Sequence, residues 1–253
     1  MRSVFSGSLL VGLVLAGAGP ARADDQADMK ALIDKAIKAA GGAAKLKALQ
    51  ACTWKGKGTI EIEDKKGTLG IDASMQALDQ ARLDLTAEID GKTHNVAVVV
   101  NKEQGWFKSP KRVEAIPKDF FPFLKTDLRA LRLTQLLLPL QDKECKLSPL
   151  GETKIDDQDA VGVKATRKGF GDVDIYFDKK TGLPVKCQTV VKDTKEGNEL
   201  SHEFFFSAPK ETDGVKHFTK VLLKRDGKKM IEIELSDIKS ADKLEESVFA
   251  KPE

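Results

Sequence analysis

Histidine and cysteine are the residue types with which this sequence could do acid–base or nucleophilic chemistry. His94, His202 and His217 lie far apart, each in or beside a segment of strand-like pattern. His202 and Glu203 are adjacent, but neighbours on a strand point to opposite faces. No metalloprotease, hydrolase or phosphate-loop motif occurs. We therefore predict a non-enzymatic protein without a cofactor; the alternative is a hydrolase assembled from distant strands.

The three cysteines are too widely spaced for a metal or redox motif. Cys52, Cys145 and Cys187 form no close pair of the zinc or thioredoxin-like kind, so no metal site is expected. Outside the cytoplasm three cysteines allow one disulfide and one leftover thiol. Cys145–Cys187 is the favoured pair, because both lie in the strand-rich second half. The alternative is three buried thiols that act as small apolar side chains.

The N-terminus has the pattern of a secretory signal. Arg2 precedes an apolar run, Leu9–Ala18, that is shorter than the roughly 18 residues a spanning helix needs. Ala21 and Ala23 form a small-x-small cleavage pattern. We predict a signal peptide at 1–23, cleaved after Ala23, and one β-rich domain at 24–253. The expected location is the periplasm or the exterior.

Charge and hydropathy argue against a nucleic-acid partner and against a membrane-spanning segment after the signal. Loss of the two arginines in the signal would lower the net charge from +3 to +1, and acids alternate with lysines along the rest of the chain. A nucleic-acid binder would show a basic excess or stripe, so no nucleic-acid partner is expected. No apolar segment after the signal is long enough to cross a membrane.

Two segments have helical periodicity. Asp25–Ala40 places apolar residues on one face and ends at Gly41-Gly42, and a short helical piece follows at Ala43–Leu49. Lys118–Leu140 is the second, with Thr126 or Asp127 as its N-cap and Pro139 as its terminator. Its leucines cover more than one stripe, so this helix must be covered on several sides.

The rest of the chain alternates apolar and polar residues, as antiparallel strands with one wet face do. Asp90-Gly91, Asp213-Gly214, Asp226-Gly227 and Glu196-Gly197-Asn198 mark turns between strands. Trp106-Phe107 ends the first strand region, and Pro110 and Pro117 bound a loop. We predict about ten strands, and a sheet of that size curls or closes.

Three local patterns in the second half resemble a known family. They are Phe177–Val185, with its strand, Asp-x-x-Thr-Gly-Leu-Pro turn and strand; Asp213–Phe218; and the closing stretch Ile238–Phe249. These patterns resemble the periplasmic lipoprotein carriers of the LolA/LolB type and the outer-membrane-lipoprotein-sorting proteins grouped with them. The resemblance implies a mainly β fold with helices (α+β): a curved, unclosed antiparallel β-barrel with helices on its concave side.

The resemblance also implies an exported carrier or binder of lipid-like or lipoprotein hydrophobic ligands. The second helix would then line a cavity for a hydrophobic or acylated ligand through Phe120, Phe121, Phe123, Leu124, Leu128, Leu131 and Leu136. The same residues could instead fill a close-packed core. The alternative function is a periplasmic protein-interaction or sensory module with no bound lipid. A partner protein would then pair with an open edge of the sheet.

Overall fold

The computed structural model describes residues 23–192 and 199–253. Within them the α-helices are α1 (Ala23–Ala40), α2 (Ala43–Lys47) and α3 (Phe121–Leu136), with short 3₁₀ helices at Leu138–Gln141 and Glu246–Phe249. The strands are β1 (Ala51–Ile62), β2 (Lys65–Gln76), β3 (Gln80–Ile89), β4 (Lys92–Asn101), β5 (Gln104–Ser109), β6 (Arg112–Ala115), β7 (Cys145–Ile155), β8 (Gln158–Arg167), β9 (Val173–Asp178), β10 (Pro184–Lys192), β11 (Glu199–Thr212), β12 (Val215–Arg225) and β13 (Lys228–Ala241).

One antiparallel sheet contains every described strand. Its order is β6-β5-β4-β3-β2-β1-β13-β12-β11-β10-β9-β8-β7, so the chain runs outward from β1 to one edge and returns inward from the other. The edge strands β6 and β7 do not pair, and the sheet stays open. This confirms a mainly β, antiparallel, unclosed fold. The Asp90-Gly91, Asp213-Gly214 and Asp226-Gly227 turns have the positive φ angles of type I′ hairpins.

The prediction of about ten strands was too low, since the described sheet has thirteen. The missed strands are β5, which contains the Trp106-Phe107 pair expected to end the strand region, and β6, which falls in the loop expected between Pro110 and Pro117. Trp106 lies inside β5, and Pro110 occupies the two-residue turn between Ser109 and Arg112, which pair with each other. Proline is tolerated there because a turn position needs no ladder N–H. The Glu196-Gly197-Asn198 turn lies outside the described residues.

The contacts of α3 require the sheet to curve. Lys125 Nζ lies 2.6 Å from Glu103 Oε1, in the turn after β4, and Asp127 Oδ1 lies 2.7 Å from Thr189 Oγ1 on β10. Seven strand spacings separate β4 from β10 in the sheet order, roughly 33 Å if the sheet were flat. A helix with its side chains is only about 10–12 Å across. Both contacts can form only on a curved sheet.

The helix boundaries agree with the sequence for α1 and differ for α3. The predicted apolar face of α1 is buried, with Met29 and Ile33 at its centre, and the helix ends before Gly41. In α3 the predicted N-caps are interior positions: Thr126 donates its hydroxyl to Pro122 O, four residues earlier. The helix ends at Leu136 rather than at Pro139, because Leu137 adopts a φ of 56°.

The favoured Cys145–Cys187 disulfide was wrong. All three cysteines are free thiols. Cys145 begins β7 and Cys187 lies on β10, three strand spacings away in the sheet order. That separation is roughly 14 Å along the sheet, whereas a disulfide needs Cα atoms within about 7 Å.

The predicted signal peptide falls on residues 1–22 and on Ala23, the first residue of α1; all but Ala23 lie outside the described residues. Among the helices that are described, none combines the length and the apolar character that a membrane span requires.

The pairing of β1 with β13 joins the two halves of the sheet and forms its seam. A Cβ added at Gly58 of β1 would lie 1.8 Å from Glu232 O on β13, whereas one at Gly70 of β2 would meet nothing nearer than 3.8 Å. Gly58→Ala should therefore lower the free energy of unfolding by about 1–3 kcal/mol. Gly70→Ala is the matched control and should be neutral or slightly stabilising. Equal urea midpoints for the two variants would show that the seam is not tightly packed.

Candidate functional site

A cavity of about 780 Å³ opens between the ends of α1 and α3 and the strands β1 and β11–β13. The turn between β9 and β10 forms another part of its rim. This volume is in the range of small-molecule binding sites. Its apolar wall is formed mainly by Trp54, Leu136, Phe206, Phe218, Leu235 and Ile238.

A stacked aromatic pair forms one side of the wall. The rings of Phe206 on β11 and Phe218 on β12 stack with centroids 4.3 Å apart. Ala208, inside β11, has a φ of 51°, and its carbonyl accepts a hydrogen bond of 2.7 Å from Thr219 Oγ1 on β12. Offset aromatic packing of this kind holds both rings in place. The two rings therefore form one continuous apolar side of the wall.

Arg132 of α3 lies at the inner end of the cavity with its residue only 2% exposed. Its Nε donates to Ala77 O at 2.9 Å, and its Nη2 donates to Leu49 O and Gln50 O, each at 3.2 Å. Its Nη1 donates to Gln135 Oε1 and to Cys52 Sγ. A guanidinium has five N–H groups, so every donor is used. Arg132 thereby ties α3 to the loops before β1 and after β2.

Burial decides the protonation of the groups around Arg132. Desolvation lowers the pKa of Arg132, and the nearby Cys52 thiol opposes that shift. Desolvation also raises the pKa of Cys52, although Arg132 pulls it the other way. Burial raises the pKa of Cys187 well above its ordinary value, with the Asp127 charge adding to the shift. Both thiols therefore stay protonated near neutral pH and are poor nucleophiles.

Two further cations of α3 are buried on the same helical face. Lys125 pairs with Glu103, and Arg129 Nη1 donates to Gly169 O at 2.8 Å while its guanidinium lies 3.8 Å from the Phe170 ring centroid. Together with Arg132 they follow i, i+4, i+7 spacing, which places them on one face. The spacing of these three cations is visible in the sequence, but it does not show which acceptors they meet.

Asp127 anchors the other side of α3 to the sheet. Thr189 Oγ1 donates to its Oδ1, and His202 Nδ1 lies 2.6 Å from its Oδ2. Arg225 Nε donates to His202 Nε2 at 3.1 Å. This series of hydrogen bonds fits a neutral imidazole that donates from Nδ1 and accepts at Nε2. The pair resembles a catalytic dyad, but Arg225 occupies the lone pair that a general base would use.

The candidate ligand contacts predicted from the sequence do not form one group. Leu136 lines the cavity. Leu128 belongs to a second apolar cluster, against which Phe121 and Leu124 pack, and Leu131 packs on the main cluster. The remaining two, Phe120 and Phe123, form a ring pair at the start of α3 with Phe120 42% exposed.

The rim of the cavity is polar and basic. Lys179, Lys180 and Lys216 line it, as does His217 on β12. Burial lowers the pKa of His217, and the nearby Asp213 carboxylate opposes that shift. Within the described ranges no group of three or more His, Cys, Asp or Glu side chains is close enough to hold a metal ion.

Two solved structures share this fold. A DUF1329 family protein from Desulfovibrio piger has a TM-score of 0.55 and 17% identity, over 87% of this chain and 96% of that one. A LolA superfamily protein from Nitrosomonas europaea has a TM-score of 0.56 and 12% identity, over 88% and 97%. No protein-family model and no curated protein matches the sequence. The resemblance to LolA/LolB-type proteins is confirmed as a likeness of fold.

Replacing Arg132 tests how α3 is held. Arg132→Met removes a donor from the carbonyls of Leu49 and Ala77, whereas Gln50 O keeps its bond from the Ala77 N–H, so the free energy of unfolding should fall by about 2 kcal/mol or more. Arg112→Met is the control, because Arg112 forms an exposed ion pair with Glu114, and it should cost less than about 1 kcal/mol. Denaturant unfolding measures both, and equal losses would contradict the anchoring role.

The half-buried position of His217 predicts a pH dependence of stability. Because its folded pKa is below the ordinary value of about 6.5, the unfolded chain binds the proton more readily. This contribution is present above about pH 6.5 and is lost as the pH falls through the folded pKa. On acidification, the melting temperature of His217→Gln should therefore fall less than that of the wild type. His94→Gln, at an exposed position on β4, should leave the wild-type loss unchanged.

Proposed function

We propose that this protein is an exported carrier or binder of lipid-like, hydrophobic ligands, with its helices on the concave side of the curved sheet. The observation that carries the proposal is the open apolar cavity beside α3. A close-packed interior would have filled this space with side chains. The confirmed likeness of fold to a LolA superfamily protein supports the same reading.

The cavity is chemically suited to an acyl chain. Trp54, Leu136 and Phe206 offer apolar contacts, and each methylene transferred from water contributes about 0.8 kcal/mol. A long chain could gain on the order of 10 kcal/mol in this way. The polar groups at the inner end, Arg132 and Gln135, already bond to each other. They therefore do not require a polar partner from the ligand.

Export is the second element of the proposal. The signal pattern of residues 1–23 supports transfer across a membrane, and cleavage after Ala23 would release the domain at 24–253. A periplasmic or secreted carrier keeps its ligand out of water while it diffuses, which is the use of an enclosed apolar site.

The interaction-module alternative requires an edge strand that can accept a partner strand. β6 has only four residues. β7 is longer, but it contains Pro149, a register shift between Pro149 and Gly151, and charged side chains along its length. These are the features with which proteins protect edges from pairing. The edges therefore favour the carrier over the module.

The remaining predicted ligand contacts on α3 stay part of the proposal. Leu128 and Leu131 face apolar clusters in the closed structure. A ligand would reach them by displacing α3 from the sheet, whereas Leu136 contacts the cavity as it stands.

Filling the cavity with a larger side chain tests the function. Ile238→Trp places an indole in the cavity wall, so binding of a neutral, apolar naphthylamine dye should weaken by about tenfold or more. Ile62→Trp is the matched control, because Ile62 is 43% exposed and does not line the cavity. Fluorescence titration measures the dye, and native mass spectrometry of protein purified from the periplasm detects retained lipid.

The two measurements can reject the proposal. Wild-type protein that carries no lipid and binds no dye would show that the cavity is not a ligand site. Equal dye affinity in the wild type and both tryptophan variants would place dye binding elsewhere. Melting temperatures of the variants show whether the fold is intact.

A further inference from the structure

Two lysines at the mouth of the cavity, and two more on the turns beside it, form no ion pair among the described residues. Lys180 and Lys216 line the rim itself. Lys35 of α1 donates its ammonium to Lys179 O at 2.5 Å, and Lys45 of α2 donates to Gly214 O at 3.3 Å. The two helices thus bring cations to the β9–β10 turn, which lines the cavity, and to the β11–β12 turn just before Lys216. Lys179 differs from the four because Glu152 pairs with it.

The two carboxylates that line the cavity, Asp178 and Asp159, each have a partner. Asp178 accepts hydrogen bonds from the backbone N–H and the hydroxyl of Thr181, at 2.5 and 2.6 Å. These bonds lower its pKa against the opposing effect of burial, with a smaller contribution from Lys180. Asp159 forms an exposed ion pair with Lys154. Asp178 keeps its negative charge, but among the lining residues that lack an ion pair it is one carboxylate against two lysines, Lys180 and Lys216.

The interior of the cavity offers no free cation. Arg132 lies there, but all five of its N–H groups bond to protein acceptors. An anion at the inner end would have to replace those bonds, while an anion at the mouth would meet ammonium groups that lack a carboxylate. The charges thus give the cavity a direction, with an apolar inner part and a cationic opening.

We propose that the ligand is a single-headed anionic amphiphile, whose apolar chain lies along Trp54 and Leu136 and whose carboxylate or phosphate lies between Lys180 and Lys216 at the mouth. This inference rests on the proposed function and names the chemistry of its ligand. Lys35 and Lys45 add positive potential from the helices, so the headgroup is held by several partly solvated charges rather than by one buried pair.

Three ligands with the same alkyl chain separate the contribution of the headgroup to affinity from that of the alkyl chain. Calorimetric titration with dodecanoic acid, monododecyl phosphate and dodecanol compares a carboxylate, a phosphate and a neutral head. Both anions, or one of them, should bind wild-type protein more tightly than the alcohol, and added salt should weaken only the anions. The tighter of the two anions identifies the headgroup.

Charge reversal locates the headgroup. The double variant Lys180→Glu with Lys216→Glu should weaken anion binding by about tenfold or more while leaving dodecanol within about twofold. Lys228→Glu is the matched control, because Lys228 is an exposed lysine at the far end of β12–β13, and it should leave all three affinities unchanged.

The outcomes distinguish this inference from the proposed function. Equal binding of both anions and the alcohol, or equal weakening by Lys228→Glu and the rim variant, would overturn the anionic headgroup while a lipid carrier still stands. Failure of wild-type protein to bind any of the three ligands would overturn the proposed function and this inference together.

Discussion

The crossover through α3 is the constraint on which the rest of the structure depends. It joins β6 to β7, the two opposite edges of an open sheet. One short helix must therefore contact both halves, and the sheet has to curve around it. Buried cations make these contacts specific: a lysine or arginine removed from water is stable only where acceptors replace its hydration, so each can occupy one place.

The acceptors of these cations come mostly from backbone carbonyls in turns. Arg132 bonds to carbonyls that end a helical segment and follow a strand, and Arg129 bonds to one in the loop after β8. Such carbonyls need partners in any case, because an unpaired buried acceptor is costly. The arginines of α3 thus donate hydrogen bonds to the turn carbonyls, and the same bonds hold the helix in place.

The same arrangement explains why the cavity is apolar inside and basic outside. The polar groups at the end of α3 bond to the protein, which leaves Trp54, Leu136 and Phe206 as the surface a guest would meet. The lysines of α1 and α2 bond to turn carbonyls through one N–H only, so their charges stay at the opening. Affinity would come from the interior and selectivity from the mouth.

The sequence by itself determined the local structure. Period-two alternation and Asp-Gly turns fixed the antiparallel hairpins, and Gly41 ended α1, because strand, turn and helix-end preferences depend on neighbouring residues. Of the described strands, only β5 and β6 were not predicted, since a proline turn and a four-residue strand give little periodic signal. The family resemblance supplied the open, curved architecture that periodicity alone left undecided.

Only the tertiary structure decided which residues form the site. Arg132 bonds to acceptors 55 to 83 positions earlier in the chain, and His202 meets Asp127 across 75. Of the seven predicted ligand contacts, Leu136 alone lies in the cavity wall, because the helix turns its leucines toward two clusters and its cations toward the turns. A helical pattern shows which residues share a face, but the curvature of the sheet decides what that face meets.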